Sequence, residues 1–133
     1  MKFIQITDSL AMGDQEAADR HPQAAKFDEI VTVGYRDSLP RRSTTQDRFT
    51  FPDGDHEYQS FENVTDHVVT QLNKNRSVFV HCASGISRSS GVTAAALATH
   101  EDITLQESFE TLKENGSKID PLTPIRESME KYT

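Results

Sequence analysis

The run Ser77-Val78-Phe79-Val80-His81 constrains this chain more than any other segment. Its apolar residues are consecutive, not alternating, so neither face of a strand built from them is suited to water. That pattern fits a buried central strand. Cys82 to Ser87 follow as a loop of mostly small residues. Arg88 to His100, with Ala94, Ala95, Ala96 and Leu97, then read as a helix.

The remaining segments are assigned around this unit. Lys2–Thr7 reads as a first strand, and alanine-rich Ala11–Ala25, broken by Pro22, as a short helix and turn. Phe27–Val33 carries the β-branched run of another strand, ended by Gly34. The stretch from Arg36 to Arg48 is polar and contains Pro40 and four arginines (Arg36, Arg41, Arg42, Arg48), so it reads as a loop. Arg48–Phe51 is expected to be a short strand, and Pro52-Asp53-Gly54-Asp55 a turn. Over Tyr58–Asn75, Phe61, Val64, Val68 and Leu72 recur on one helical face. Thr104–Asn115 and Pro121–Tyr132 read as two further amphipathic helices, with Gly116 stopping the first. Strands alternate with helices early and helices dominate late. The expected fold is α/β: a central, mostly parallel sheet flanked by helices, with ligands beyond the carboxyl ends of the strands.

With 133 residues, the chain is expected to form a single domain spanning 1–133. Hydrophobic residues make up 35% and charged residues 26%, as in a soluble globular protein. No apolar run approaches the roughly 20 residues of a membrane span, and the polar start does not resemble a signal peptide. The expected location is cytoplasmic, without a membrane partner. A net charge of −7 disfavours a nucleic-acid partner. It also means that any site for an anion must be a local pocket. Cys82 is the single cysteine, which excludes an internal disulfide and a multi-cysteine zinc site.

The chemistry is concentrated in His81-Cys82-Ala83-Ser84-Gly85-Ile86-Ser87-Arg88-Ser89. A loop turning from strand into helix can aim successive backbone N–H groups, here those of Ala83, Ser84, Gly85, Ile86, Ser87 and Arg88, at one point. The helix start adds its positive end. The planar guanidinium of Arg88 can hold two phosphate oxygens, and Gly85 permits the φ that so tight a loop needs. The same field favours a thiolate at Cys82, which makes it a nucleophile. Ser84 and Ser87 read as small loop-formers, with Ser87 a candidate helix cap. The arginines of 36–48 read as a solvated face; the sharper alternative is a surface that recruits acidic or multiply phosphorylated substrates. His56, His67 and His100 lack metal-ligand spacing and read as surface or helix residues. Acidic residues 107, 110 and 114 read as an exposed helix face.

The pattern His-Cys-five residues-Arg-Ser resembles the signature loop of the protein tyrosine phosphatase superfamily, and this version is most similar to the dual-specificity phosphatases. Residues 58–100 resemble that family's helix, strand, loop and helix. Ile119-Asp120-Pro121 resembles the segment before its last helix, and residues 1–50 are only loosely similar. The resemblance implies a phosphorylated protein as substrate and a two-step reaction through a phosphocysteine, with no metal or other cofactor. By the same likeness Cys82 attacks phosphorus, Arg88 binds the phosphate and transition state, and Ser89 assists departure of the sulfur. His81 orients the loop and helps to favour the thiolate. Asp53, 29 residues before Cys82, resembles the family's general acid, and Asp55 is its competitor. A shallow cleft, admitting phosphoserine and phosphothreonine beside phosphotyrosine, is expected of so short a chain acting as a monomer. Three alternatives stay open at this point: a phosphatase for non-protein phosphomonoesters, a module that binds phosphoproteins without turnover, and a rhodanese-like sulfur transferase.

Overall fold

The computed structural model describes residues 1–41, 44–116 and 118–133. Among these residues five strands, β1 (Phe3–Thr7), β2 (Leu10–Gly13), β3 (Glu29–Thr32), β4 (Thr45–Arg48) and β5 (Val78–His81), form one sheet in the order β1-β2-β5-β3-β4. Among the described residues only the β1–β2 pair is antiparallel; β2–β5, β5–β3 and β3–β4 are parallel. The helices are α1 (Gln15–Arg20), α2 (Tyr58–Asn73), α3 (Arg88–Glu101), α4 (Leu105–Asn115) and α5 (Thr123–Tyr132). The mostly parallel α/β sheet expected from the sequence is therefore present. None of the described helices is long and apolar enough to cross a membrane.

β5 is the central strand, and its four residues are fully buried. Its side chains divide the core. Val78 and Val80 face a large cluster with Phe61, Val64, Val68, Leu97 and Ile125 from α2, α3 and α5. Phe79 faces the opposite side, where Ala17, Ala18, Ala24, Phe27 and Ile30 close a smaller cluster. The Phe79 ring centroid lies 5.3 Å from that of Phe3 and 6.0 Å from that of Phe27. Burying such a ring contributes about 2–3 kcal/mol. α3 runs through the helical layer and is buried from Arg88 to Ala98. Small residues allow this: a Cβ at Gly91 would lie 2.5 Å from Ile125 Cγ2.

Two local expectations are corrected. Ala11–Met12 lie in strand β2, not in a helix. Both are fully buried between β1 and β5, and pairing on both sides outweighs the helix preference of alanine. Gly13 permits this packing, since a Cβ there would meet Lys2 O at 2.3 Å. The helix starts only at Gln15, capped by Asp14, whose Oδ1 accepts from Ala17 N at 2.8 Å. The fourth strand spans Thr45–Arg48, within the segment read as loop, and not 48–51. Among the described residues β4 pairs with β3 alone, so its outer edge is exposed and its polar composition hides it from an apolar pattern search.

The arginine-rich segment is largely engaged internally. Arg41 donates to the carbonyls of Ala17, Ala18 and His21 at the end of α1. Arg36 pairs with Asp19 at 2.9 Å, and Arg48 donates to Tyr35 O at 3.1 Å. Arg42 lies outside the described residues.

Candidate active site

The sheet register sets Gly13 and Thr32 beside His81, so three parallel strands end at one level. Cys82 is the next residue, at the carboxyl edge of the sheet. Its backbone N–H donates to Gly13 O at 3.3 Å. Gln15 N donates to Ala83 O at 3.2 Å, and Asp120 N to Ile86 O at 2.9 Å. These contacts tie the 82–87 loop down on both sides. Gly85 takes φ +73°, and a Cβ there would approach Gly13 C to 2.8 Å, so both conformation and space require glycine.

Two polar groups converge on the sulfur. Gly85 N–H points to Cys82 Sγ at 3.2 Å, and Ser89 Oγ lies 3.2 Å from it. Arg88, only 4% exposed, donates through Nη1 to Phe51 O at 2.9 Å and Val33 O at 3.4 Å. Its guanidinium carbon lies 4.8 Å from the ring centre of Tyr35. The buried Nε–H has no hydrogen-bond partner among the described residues. A buried, unpaired, charge-bearing donor is costly unless an anion meets it. A tight strand-to-helix loop ending in a buried guanidinium is chemically suited to holding a tetrahedral anion.

His81 is fully buried, and its Nε2 lies 2.7 Å from Thr32 Oγ1. Burial disfavours the cation and lowers its pKa to about 4, against a partial opposing effect of the Cys82 backbone. The ring is neutral at pH 7. It therefore ties β5 to β3 beneath the loop but brings no positive charge to the thiol. Between an unfolded value of 6.5 and about 4, the unfolded state holds the extra proton. The stability contributed by His81 is thus complete above pH 6.5 and is lost as pH falls toward 4, at up to about 1.4 kcal/mol per pH unit. Glu29 acts in the opposite sense. Burial, reinforced by Asp47, raises its pKa from 4.5 to about 7, so its share is complete below 4.5 and is lost as pH rises through 7. Urea denaturation of wild type and His81→Asn across this range separates the two. Wild type is expected to lose stability relative to the variant on acidification; parallel curves would contradict the neutral buried ring.

The two candidate acids are separated by the fold. Ser87 Oγ donates to Asp53 Oδ1 at 2.7 Å, which puts Asp53 against the Cys82–Arg88 loop. Asp55 instead lines a cavity of about 270 Å³ with Tyr58, Ser128 and Lys131, between the turn and α5. His56 braces the turn: Nδ1–H donates to Gly54 O at 2.6 Å, and Nε2 accepts from Ser128 Oγ at 2.7 Å. The sequence reading missed this brace and the hydroxyl contact of Ser87, which makes no side-chain cap on α3. It also missed that His67 pairs with buried Glu29 and lies 3.4 Å from Asp47. Those three residues come from separate elements, so sequence spacing could not show the cluster. Glu107 is part of a capping box with Thr104, not merely one of an exposed acidic row.

Residues 16–133 match the family model described as the dual specificity phosphatase catalytic domain. A candidate tyrosine phosphatase of Invertebrate iridescent virus 6, 123R, is 26% identical over 121 residues, covering 91% of this chain and 84% of that protein. Human dual specificity protein phosphatase 9 is 26% identical over 125 residues, covering 89% of this chain but 33% of the human protein. The chain thus spans about a third of that relative. The crystal structure of human DUSP28 superposes with a TM-score of 0.86 at 20% identity, covering 97% of this chain and 94% of that one. At that identity the likeness speaks for the fold alone.

Proposed function

The chain belongs to the dual specificity phosphatase family, whose catalytic domain is a cysteine-dependent phosphatase, and we propose that it dephosphorylates phosphotyrosine, and also phosphoserine and phosphothreonine, in proteins. In this reading residues 1–133 act as one catalytic domain, in the cytoplasm, without a metal. The observation that carries it is the convergence on Cys82 Sγ of the Gly85 N–H and Ser89, at the head of a loop that ends in Arg88, whose buried Nε has no partner among the described residues.

The Cys82 thiolate attacks phosphorus while the backbone N–H groups of residues 83–88 and the Arg88 guanidinium hold the equatorial oxygens. Those donors are fixed before reaction, so they stabilise transition-state charge without reorganising. Asp53 protonates the departing oxygen and its carboxylate then takes a proton from the water that hydrolyses the phosphocysteine. In that second step Ser89 stabilises the sulfur as it leaves. Asp53 is preferred to Asp55 because only its carboxylate contacts the phosphate loop.

Phosphopeptide turnover in EDTA by Asp53→Asn and Asp55→Asn tests the assignment. Asp53→Asn is expected to lower kcat about 10²-fold, and Asp55→Asn less than about threefold, within the range of a surface change. The reverse order would transfer the acid role to Asp55. A folded wild-type protein that binds phosphate but releases none from any substrate would make it a binding module.

A further inference from the structure

Ser87 occupies a position that its place among small loop residues does not explain. It is 4% exposed, and its carbonyl accepts from Gly91 N at 2.9 Å and Ser90 Oγ at 3.0 Å, so its backbone is fixed. Its hydroxyl oxygen accepts from Leu122 N at 3.0 Å. A hydroxyl has one proton, and here it is directed at Asp53 Oδ1, 2.7 Å away. Asp53 itself stands exposed on a turn whose next residue, Gly54, takes φ +111°. Among the described residues, Ser87 is the only hydrogen-bond partner of its carboxylate.

We propose that Ser87 is a positioning residue for acid–base catalysis: it commits Asp53 Oδ1 to accepting a hydrogen bond and so reserves Oδ2 as the proton-transferring atom. The proposal rests on Asp53 being the acid. In the first step the Cys82 thiolate forms the S–P bond, the P–O bond breaks, and the Oδ2 proton passes to the leaving oxygen, giving the free alcohol or phenol. In the second step water forms the new P–O bond, the S–P bond breaks to restore the thiolate, and one water proton passes to Oδ2. Oδ1 accepts from Ser87 throughout. The Leu122 N–H, on the segment before α5, keeps the hydroxyl from rotating away. The acid is thereby aligned from within the loop that binds the phosphate, so a single rigid unit holds both partners of the proton transfer.

The test is the leaving-group dependence of kcat across phosphate monoesters, from p-nitrophenyl phosphate to phenyl phosphate and a phosphoserine peptide. It uses wild type, Ser87→Ala, Ser87→Thr, Asp53→Asn and the Ser87→Ala/Asp53→Asn double variant, each checked for folding. Ser87→Ala is expected to steepen the dependence, with about a tenfold larger loss on the poorest leaving group than on p-nitrophenyl phosphate. Ser87→Thr should restore the wild-type slope, and the double variant should be no slower than Asp53→Asn. An equal loss on every substrate, or losses that multiply in the double variant, would overturn the proposal by placing the effect in phosphate binding. Faster turnover by Ser87→Ala would also overturn it, marking the contact as a restraint on the acid. If Asp53→Asn steepens the slope and Ser87→Ala does not, only the positioning role falls. If Asp53→Asn leaves the slope unchanged, the acid assignment falls and takes the proposal with it.

Discussion

Cys82→Ser is expected to abolish phosphate release, by at least about 10⁴-fold, while leaving a folded protein that still binds inorganic phosphate. Loss of a nucleophile that acts as one unit with its supporting groups has effects of this order. The change removes little else. Serine is close in size to cysteine, and the buried sulfur's two neighbours, Gly85 N–H and Ser89 Oγ, are both able to hydrogen-bond a hydroxyl. The loop is held by backbone contacts to Gly13, Gln15 and Asp120, none of which involves the sulfur. A hydroxyl in the same place is a far weaker nucleophile at neutral pH. Phosphate binding, measured calorimetrically, should therefore survive in the variant that does not turn over. Residual turnover within about tenfold of wild type would show that the sulfur is not the attacking atom.

Arg88→Lys is expected to lower kcat/KM by about 10³-fold, comparable to losing more than one preorganised donor. In the proposed mechanism the guanidinium serves two directions at once, backbone carbonyls and phosphate. Nη1 is spent on Phe51 O and Val33 O, while the buried Nε–H has no partner among the described residues. An ammonium group is a point charge on a flexible stem and cannot reproduce that fork. If it turns to phosphate, the two carbonyls lose their donor; if it stays on them, the phosphate does. The first case also costs about 1–3 kcal/mol of stability, which a urea titration would register beside the kinetics. A lysine variant with near wild-type kcat/KM on phosphopeptides would mean that Arg88 balances charge without gripping the phosphate in a defined geometry.

Much of the fold could be read from the chain because its strongest signals are local. Val78-Phe79-Val80 has to be buried on both faces, and it lies at the centre of the sheet. α2 and α4 have a clear apolar face, and they begin within a residue of where their spacing places them. β2 and β4 were not legible, for opposite reasons. In β2, alanine and methionine are used as core residues between two strands, against their own helix preference. β4 is an edge, so its sequence is that of a surface. The site shows the same division. The residues that form the Cys82–Arg88 loop are contiguous, so their grouping was evident. The contacts of Ser87 with Asp53 and Leu122 span 34 and 35 residues, and those of His67 cross three elements. No periodicity records contacts made only when the elements pack. The protonation state of His81 was likewise hidden, because it follows from full burial and not from its neighbours in sequence.

The central claim is a covalent phosphocysteine at Cys82, and trapping it tests that claim most directly. In the proposed mechanism Ser89 supports the departing sulfur, so Ser89→Ala should slow breakdown of the intermediate more than its formation. Rapid acid quenching of this variant with excess p-nitrophenyl phosphate in EDTA, followed by intact-mass and peptide mass spectrometry, is expected to show one added phosphoryl group, located on Cys82. Turnover by the same preparation with no phosphoryl adduct, or with the adduct on another residue, would contradict the mechanism.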